Sequence, residues 1–238
     1  MTNETGRPLC AGVIGGMGPE ATVDLMRRVI ACTPAEDDQD HIRMLVDNNP
    51  RVPSRIAAII DGTGPSPAPA LIDMARGLER QGADFLVMPC NTAHHYHAEI
   101  AAAVGIPFLN LMELVAAHIA REQPGLRRVG LLASTALQHI HLYEPWFAAV
   151  DVEVLYPEPA VQSKLMALIR AVKAGRSDAA GTAAFNQAAQ SLSDAGAQCL
   201  LIACTELSVI ADQLHVSLPV HDAADVLARA VVERASTS

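Results

Sequence analysis

The chain has 238 residues and a formal net charge of −9, and half of it is hydrophobic while only 3% is aromatic, so Ala, Val, Leu and Ile must build the core. That length buries one large core or two smaller ones. No basic run exceeds the pairs Arg27-Arg28 and Arg127-Arg128, which argues against a nucleic-acid-binding face. No segment approaches the ~18 consecutive apolar residues of a membrane span.

Read in chain order, short apolar runs alternate with longer segments of helical period. Leu9–Ile14 reads as a first strand. The wider stretch Leu9 to Met17 is too short and Gly-rich for a secretory core, with Glu4 and one Arg ahead of it. A helix follows from Pro19 to Cys32, with Pro at an early position where its missing N–H costs nothing. Arg43–Val46 is the next strand. Ala68–Gln81 is an amphipathic helix with Leu71, Met74, Ala75 and Leu78 on one face, and Phe85–Met88 and Pro107–Leu109 are strands.

The second half repeats the plan. Val129–Leu132 opens it, a turn and helix follow near Thr135–Ala149, and Val152–Leu155 is a strand. Helices from Val161 to Ala174 and from Ala180 to Ala195 stop at Gly175 and Gly196, and Leu200–Ala203 is the last buried strand. Alternation of this kind implies an α/β fold with a parallel sheet flanked by helices.

Two segments of this pattern are near-copies. Gly82-Ala83-Asp84-Phe85-Leu86-Val87-Met88-Pro89-Cys90-Asn91-Thr92 matches Gly196-Ala197-Gln198-Cys199-Leu200-Leu201-Ile202-Ala203-Cys204-Thr205-Glu206, 114 residues on (204 − 90). Ile106–Asn110 resembles Leu218–Asp222, and Gly12-Val13-Ile14 resembles Gly130-Leu131-Leu132. The chain reads as an internal duplication, divided into a first domain of residues 1–107 plus 218–238, carrying Cys90, and a second of residues 108–217, carrying Cys204.

Both cysteines end a strand, where α/β sheets bind ligands. There the N-terminus of a following helix lowers a thiol's pKa below its free value of about 8.5 and, with Asn91, Thr92 and Thr205, grips a substrate carboxylate. A thiol facing its twin across a pseudo-symmetric cleft suits two-sided proton transfer at one carbon. Cys10, Cys32 and Cys199 read as small buried hydrophobes. Five cysteines without disulfide spacing point to reduced thiols in a cytoplasm.

Gly12 to Pro19 lacks the last glycine of a dinucleotide fingerprint. Its glycines instead let backbone approach a small ligand, with Met17 as an apolar wall. His94, His95 and His97 lie close to Cys90, and Cys90 and His94 can converge on one helical face, but no second ligand pair with finger-like spacing follows, which argues against a metal. Arg55 follows a loop with two prolines that can hold its guanidinium over a cleft for bidentate carboxylate recognition.

Taken together, Ile14-Gly15-Gly16-Met17-Gly18-Pro19, Asn49-Pro50-Arg51-Val52-Pro53-Ser54-Arg55, the Cys90-Asn91-Thr92-Ala93-His94 run and Cys204-Thr205-Glu206-Leu207 resemble the cofactor-independent aspartate/glutamate racemases. The resemblance implies two pseudo-symmetric three-layer αβα domains with the active site in the cleft between them. It implies catalysis by Cys90 and Cys204, and contacts from Arg55 and Lys164 to substrate carboxylates. Met17, Asn91, Thr92, Ala93, Thr205 and Glu206 line the substrate by the same resemblance. The resemblance implies that no pyridoxal cofactor or metal is used, neither nucleic acid nor membrane is an expected partner, and a cytoplasmic homodimer acting on aspartate or glutamate is expected. The chain departs from the family pattern at Pro53-Ser54-Arg55-Ile56 and Ser134-Thr135-Ala136-Leu137. Those departures leave the proton chemistry intact and the side-chain preference open, so a racemase of broader specificity is the nearest alternative. Maleate isomerases and malonate decarboxylases occur on similar scaffolds, although the intact cysteine pair counts against a decarboxylase, and a non-catalytic amino-acid sensor would have the same sequence features.

Overall fold

A computed structural model describes residues 8–176 and 178–236, so Glu4 with the rest of the N-terminal segment, Ser177 and the last two residues lie outside the described chain. The first half runs β1 (Ala11–Gly15), α1 (Pro19–Cys32), β2 (Met44–Asn48), α2 (Arg55–Ile59), α3 (Ala68–Arg80), β3 (Phe85–Val87), α4 (His97–Ala101) and α5 (Leu111–Glu122). The second runs β4 (Arg128–Ala133), α6 (Thr135–His139), α7 (Glu144–Ala148), β5 (Glu153–Leu155), α8 (Pro159–Lys173), α9 (Ala179–Asp194), β6 (Cys199–Ala203), α10 (Thr205–Val209), β7 (Val220–Asp222) and α11 (Ala223–Ser236). One sheet has the order β2-β1-β3 and the other β5-β4-β6-β7, and all five strand pairs are parallel. Strands such as Cys199–Ala203, buried at every position, need cover on both faces, which helices supply.

The strand pairing does not follow the expected division at 107/108 and 217/218. Leu86 N–H donates to Pro107 O (2.8 Å), and Phe108 bridges Leu86 of the first sheet. Leu200 N–H donates to Pro219 O (2.9 Å), and β7 pairs with β6 of the second. Each of the two similar Pro-containing segments therefore closes its own half. Helix α11 then crosses back to pack on α1 and α5.

The duplication extends to atomic packing. A Cβ on Gly12 would lie 2.7 Å from Leu86, 2.8 Å from Ala83 and 3.3 Å from Leu78. On Gly130 it would lie 2.9 Å from Leu200, 3.0 Å from Leu192 and 3.1 Å from Ala197, the same three residues one repeat later. Both strands lack a side chain there because the end of the helix that leads into the neighbouring strand (α3 before β3, α9 before β6) packs hard against them. Gly12→Ala is expected to destabilise by about 1–3 kcal/mol through overpacking, read as a lower urea midpoint with unchanged slope.

The central core belongs to both halves. Val13 and Val87 of the first sheet, Leu131 and Leu201 of the second, and Leu25, Val115 and Leu227 from α1, α5 and α11 form one cluster. The outer face of the first sheet is covered by Leu71, Met74 and Leu78 of α3. Leu165, Ile169, Phe185 and Leu192 of α8 and α9 cover the outer face of the second. Two layers of helix thus sandwich each sheet. The single helix expected near Thr135–Ala149 is instead α6 and α7, separated where His141 takes a positive φ of 49°. Among the described residues, no helix is long and apolar enough to cross a membrane.

Candidate active site

The ends of β1, β3, β4 and β6 converge on a cavity of about 320 Å³ between the two halves, a size suited to a small ligand. Cys90 enters from the first half and Cys204 from the second, both buried. Met17, Arg55, Asn91, Thr92, Thr205 and Glu206 also line it. Eight of the ten residues expected around the substrate are therefore brought together.

Two are not. Ala93 is wholly buried within the turn that follows Cys90 and is absent from the cavity wall. Lys164 projects from the outside of α8, where its Nζ donates to Gln187 Oε1 at 3.0 Å. The lysine in the cavity is Lys173, nine positions along the same helix (173 − 164). That interval is about two and a half turns at 3.6 residues per turn, which moves a side chain to the opposite face. The sequence carried a usable signal, because Lys173 continues the apolar stripe of Leu165 and Ile169 at intervals of four. Ser134 was also missed; it caps α6 and stands at the end of β4 as Gly16 stands at the end of β1.

Several contacts hold the lining in place. Ser54 caps α2 by accepting from Ala57 N–H (3.2 Å), so Arg55 opens a short helix directly after the two-proline loop. Its guanidinium donates to Pro53 O (3.0 Å) and reaches Met17 O (3.4 Å). The phenol of Tyr143, fully buried, donates to Asn91 Oδ1 at 2.6 Å. Burial, and then Asp222, push that phenol well above its ordinary pKa, so it keeps its proton. With Oδ1 occupied, the Asn91 amide presents Nδ2, which has no partner among the described residues. Thr92 and Ser134 hydroxyls meet across the seam at 3.1 Å.

The histidines serve the fold. His94 is buried with Nδ1 2.9 Å from the carbonyl of Cys90, and its pKa is lowered to about 4, chiefly by burial. Its contact is to that carbonyl and not to the thiol. His97 Nε2 lies 3.1 Å from Phe108 O and its ring stacks on Phe108, pinning the edge of the first sheet. Among the other cysteines, Cys10 and Cys199 are buried as expected, whereas Cys32 is only half-buried at the end of α1.

The cysteines differ in electrostatic surroundings. Cys204 Sγ–H donates to Glu206 Oε2 at 3.1 Å, and Lys173 Nζ lies 3.1 Å from Glu206 Oε1. Burial, reinforced by the Glu206 charge, pushes the Cys204 thiol well above its ordinary pKa, with Lys173 acting against this. Lys173 itself is raised: burial disfavours its charge, but Glu206 and then the two cysteines outweigh it. The depressed thiol expected at a helix N-terminus is thus reversed at Cys204. The segments after the cysteines are a five-residue 3-10 turn (Thr92–Tyr96) and the five-residue α10, too short to dominate a nearby carboxylate.

The sequence profile of the Asp/Glu/Hydantoin racemase family matches residues 14–231, and the chain belongs to that family. The Broad specificity amino-acid racemase RacX of Bacillus subtilis (strain 168) is 29% identical over 225 residues, covering 93% of this chain and 96% of that protein. Among solved structures, Picrophilus torridus aspartate racemase superposes with a TM-score of 0.80 at 30% identity, over 97% of this chain and 95% of that one. Glutamate racemase isoform RacE1 from Bacillus anthracis shares the fold, with a TM-score of 0.67 at 17% identity over 95% of this chain and 80% of that one.

Proposed function

We propose that the protein racemises amino acids by a two-thiol, pyridoxal-independent mechanism. One cysteine, as thiolate, removes the α-proton from one face of the substrate, and the other, as thiol, protonates the opposite face. The observation that carries this reading is the pair Cys90 and Cys204, reached by matched strands of a duplicated fold and lining one cavity from its two sides. A thiolate alone is too weak a base for an α-carbon. Charge building on the substrate carboxylate must be met by fixed donors, for which Asn91 Nδ2 and the Thr92 and Thr205 hydroxyls are available. Placement of both sulfurs within one small cavity adds a large proximity factor.

Aspartate is the first substrate in this reading, and glutamate the second. Arg55 has no carboxylate within ion-pair distance among the described residues, so it is free to take a distal one. A second reading, tolerance of neutral side chains, is favoured by Lys173, whose charge is already engaged by Glu206. It is also favoured by Met17, Val52, Ile56 and Ile169, which give the cavity apolar walls. The relative described as a broad-specificity racemase agrees with that second reading.

Substitution at Arg55 separates them. For an aspartate enzyme, Arg55→Leu is expected to raise KM for aspartate by about tenfold or more, since a charge-assisted pair of this kind is worth about 1.5–3 kcal/mol. The effect on a neutral amino acid such as methionine should stay within about twofold. Equal effects on both substrates would remove the acidic assignment and leave the broader racemase. Binding of amino acids without α-proton exchange would instead identify a sensor.

A further inference from the structure

We propose that Glu206 makes the two thiols unequal, holding Cys204 as the proton-donating thiol of the resting site and leaving Cys90 as its first base. The inference rests on the two-thiol reading above and assigns a protonation order within it.

Cys90-Asn91-Thr92 and Cys204-Thr205-Glu206 occupy equivalent positions after equivalent strands. The second position exchanges one neutral polar residue for another, Asn91 for Thr205, and only the third changes charge. In the first half it is a neutral threonine whose hydroxyl meets that of Ser134 at 3.1 Å. In the second it is a glutamate with a largely buried side chain (8% exposed), which accepts from Cys204 Sγ–H through Oε2 and faces Lys173 through Oε1.

A carboxylate that accepts the S–H proton stabilises the thiol and opposes the thiolate, because deprotonation would set two negative charges about 3 Å apart in a poorly solvated cavity. The charged and titratable groups facing Cys204 are Glu206 from α10, Lys173 from α8, Cys90 after β3 and Arg55 from α2. Lys173 is the cation that offsets Glu206, yet it meets Oε1, the oxygen away from sulfur, and about a third of its side chain is exposed (36%). It damps the effect of Glu206 without cancelling it. The upward push on the Cys204 thiol from burial and Glu206 has the same sign.

The proton inventory balances with no further reactant. Cys90 thiolate takes the α-proton and becomes a thiol. Cys204 thiol delivers its proton to the opposite face of the carbanion and becomes a thiolate beside Glu206. It is then the more basic of the two and recovers a proton from solvent, while Cys90 returns one. Because two enantiomers are equal in energy, kcat/KM must be the same in both directions. The inequality of the thiols therefore appears as a difference in kcat matched by one in KM.

Alkylation tests the inference without requiring turnover. Iodoacetamide, small enough for the cavity, is applied across a pH series, and modification of Cys90 and Cys204 is followed separately by peptide mass spectrometry. In the wild-type protein Cys204 should react with a higher pH midpoint than Cys90. Glu206→Gln should lower the Cys204 midpoint by at least one pH unit, raising its rate near neutral pH by about tenfold, and should move the Cys90 midpoint much less. Lys173→Met should shift the Cys204 midpoint the other way. Coincident midpoints in the wild type would overturn the proposal, as would a Cys204 midpoint unmoved or raised by Glu206→Gln. A change in access alone alters rates at every pH and leaves the midpoint in place, which also counts against it. Loss of racemase activity in every assay, with these midpoints as expected, would defeat the functional reading and not the protonation order.

Discussion

Replacing either Cys90 or Cys204 with Ala is expected to lower kcat/KM for racemisation by about 10²–10⁴-fold, the usual contribution of a positioned acid or base. Each variant keeps one thiol, so each should still exchange the α-proton of a single enantiomer with solvent, with retention of configuration. The two variants should choose opposite enantiomers, because their remaining thiols enter the cavity from opposite halves of the fold. Chiral chromatography with mass detection in D2O reads both quantities at once. Loss from one substitution only would indicate a single-thiol enzyme of the decarboxylase type. Both side chains are small and buried, so the substitutions should be structurally mild, and unchanged unfolding midpoints would confirm that the loss is chemical.

The largest effect on stability is expected at Arg28, which does not line the cavity. Its side chain, 11% exposed, lies between the halves. Nε donates to Asp24 Oδ2 at 2.6 Å, Nη1 faces Asp222 Oδ2 at 3.1 Å and also Asp225, and Nη2 donates to the carbonyl of Ser208 at 2.8 Å. One cation thus ties α1 to α10 and to the start of α11. Removing it in Arg28→Met leaves the nearly buried Asp222 with no cation among the described residues and Asp24 with only the exposed Arg27, which should cost about 3–5 kcal/mol at neutral pH. Burial already raises Asp222 to about 6, against the opposing pull of Arg28. A raised carboxyl contributes stability that is present below the ordinary carboxylate range and is lost as pH rises through about 6. Without Arg28 that midpoint moves higher still, so the deficit of the variant should shrink between pH 7 and pH 5. Urea unfolding at the two pH values checks this, and a deficit that is constant with pH would contradict the electrostatic account.

Arg28 also shows how the scaffold reaches the site. Ser208 of α10 donates to Asp222 Oδ1 at 2.6 Å, and the same short helix carries Thr205 and Glu206. A partial loosening of this cluster should therefore affect the second half of the cavity before the first.

Much of this was legible in the chain because duplication is a statement about spacing. Cys90 and Cys204 stand out as paired ends of copied strands, and the limits of α1, from Pro19 to Cys32, follow from its opening proline and apolar period. What was illegible depended on which way a helix faces or where a strand pairs. Lys164 and Lys173 lie on one helix, and only its rotation about the apolar stripe tells the outward lysine from the inward one. The break between α6 and α7 falls at His141, a residue with no local bias strong enough to announce a positive φ. β7 pairs with β6 as the segment around Phe108 bridges β3, whereas the expected division at 217/218 groups β7 with α11, because likeness between two segments does not say which sheet each one joins. Helix-dipole reasoning gave the wrong sign for the Cys204 thiol because it left out burial and then the carboxylate two residues on.

The central claim is that two thiols divide one proton transfer between the faces of a carbon. The most direct test is to incubate the purified, cofactor-free protein with a single enantiomer of aspartate, and in parallel of methionine, in D2O and stop at a few per cent conversion. A two-thiol racemase places one α-deuterium in nearly every molecule of the opposite enantiomer formed and almost none in the recovered substrate. Deuterium appearing equally in substrate and product would mean one base serves both faces, and the account of Cys90 and Cys204 as partners would be wrong.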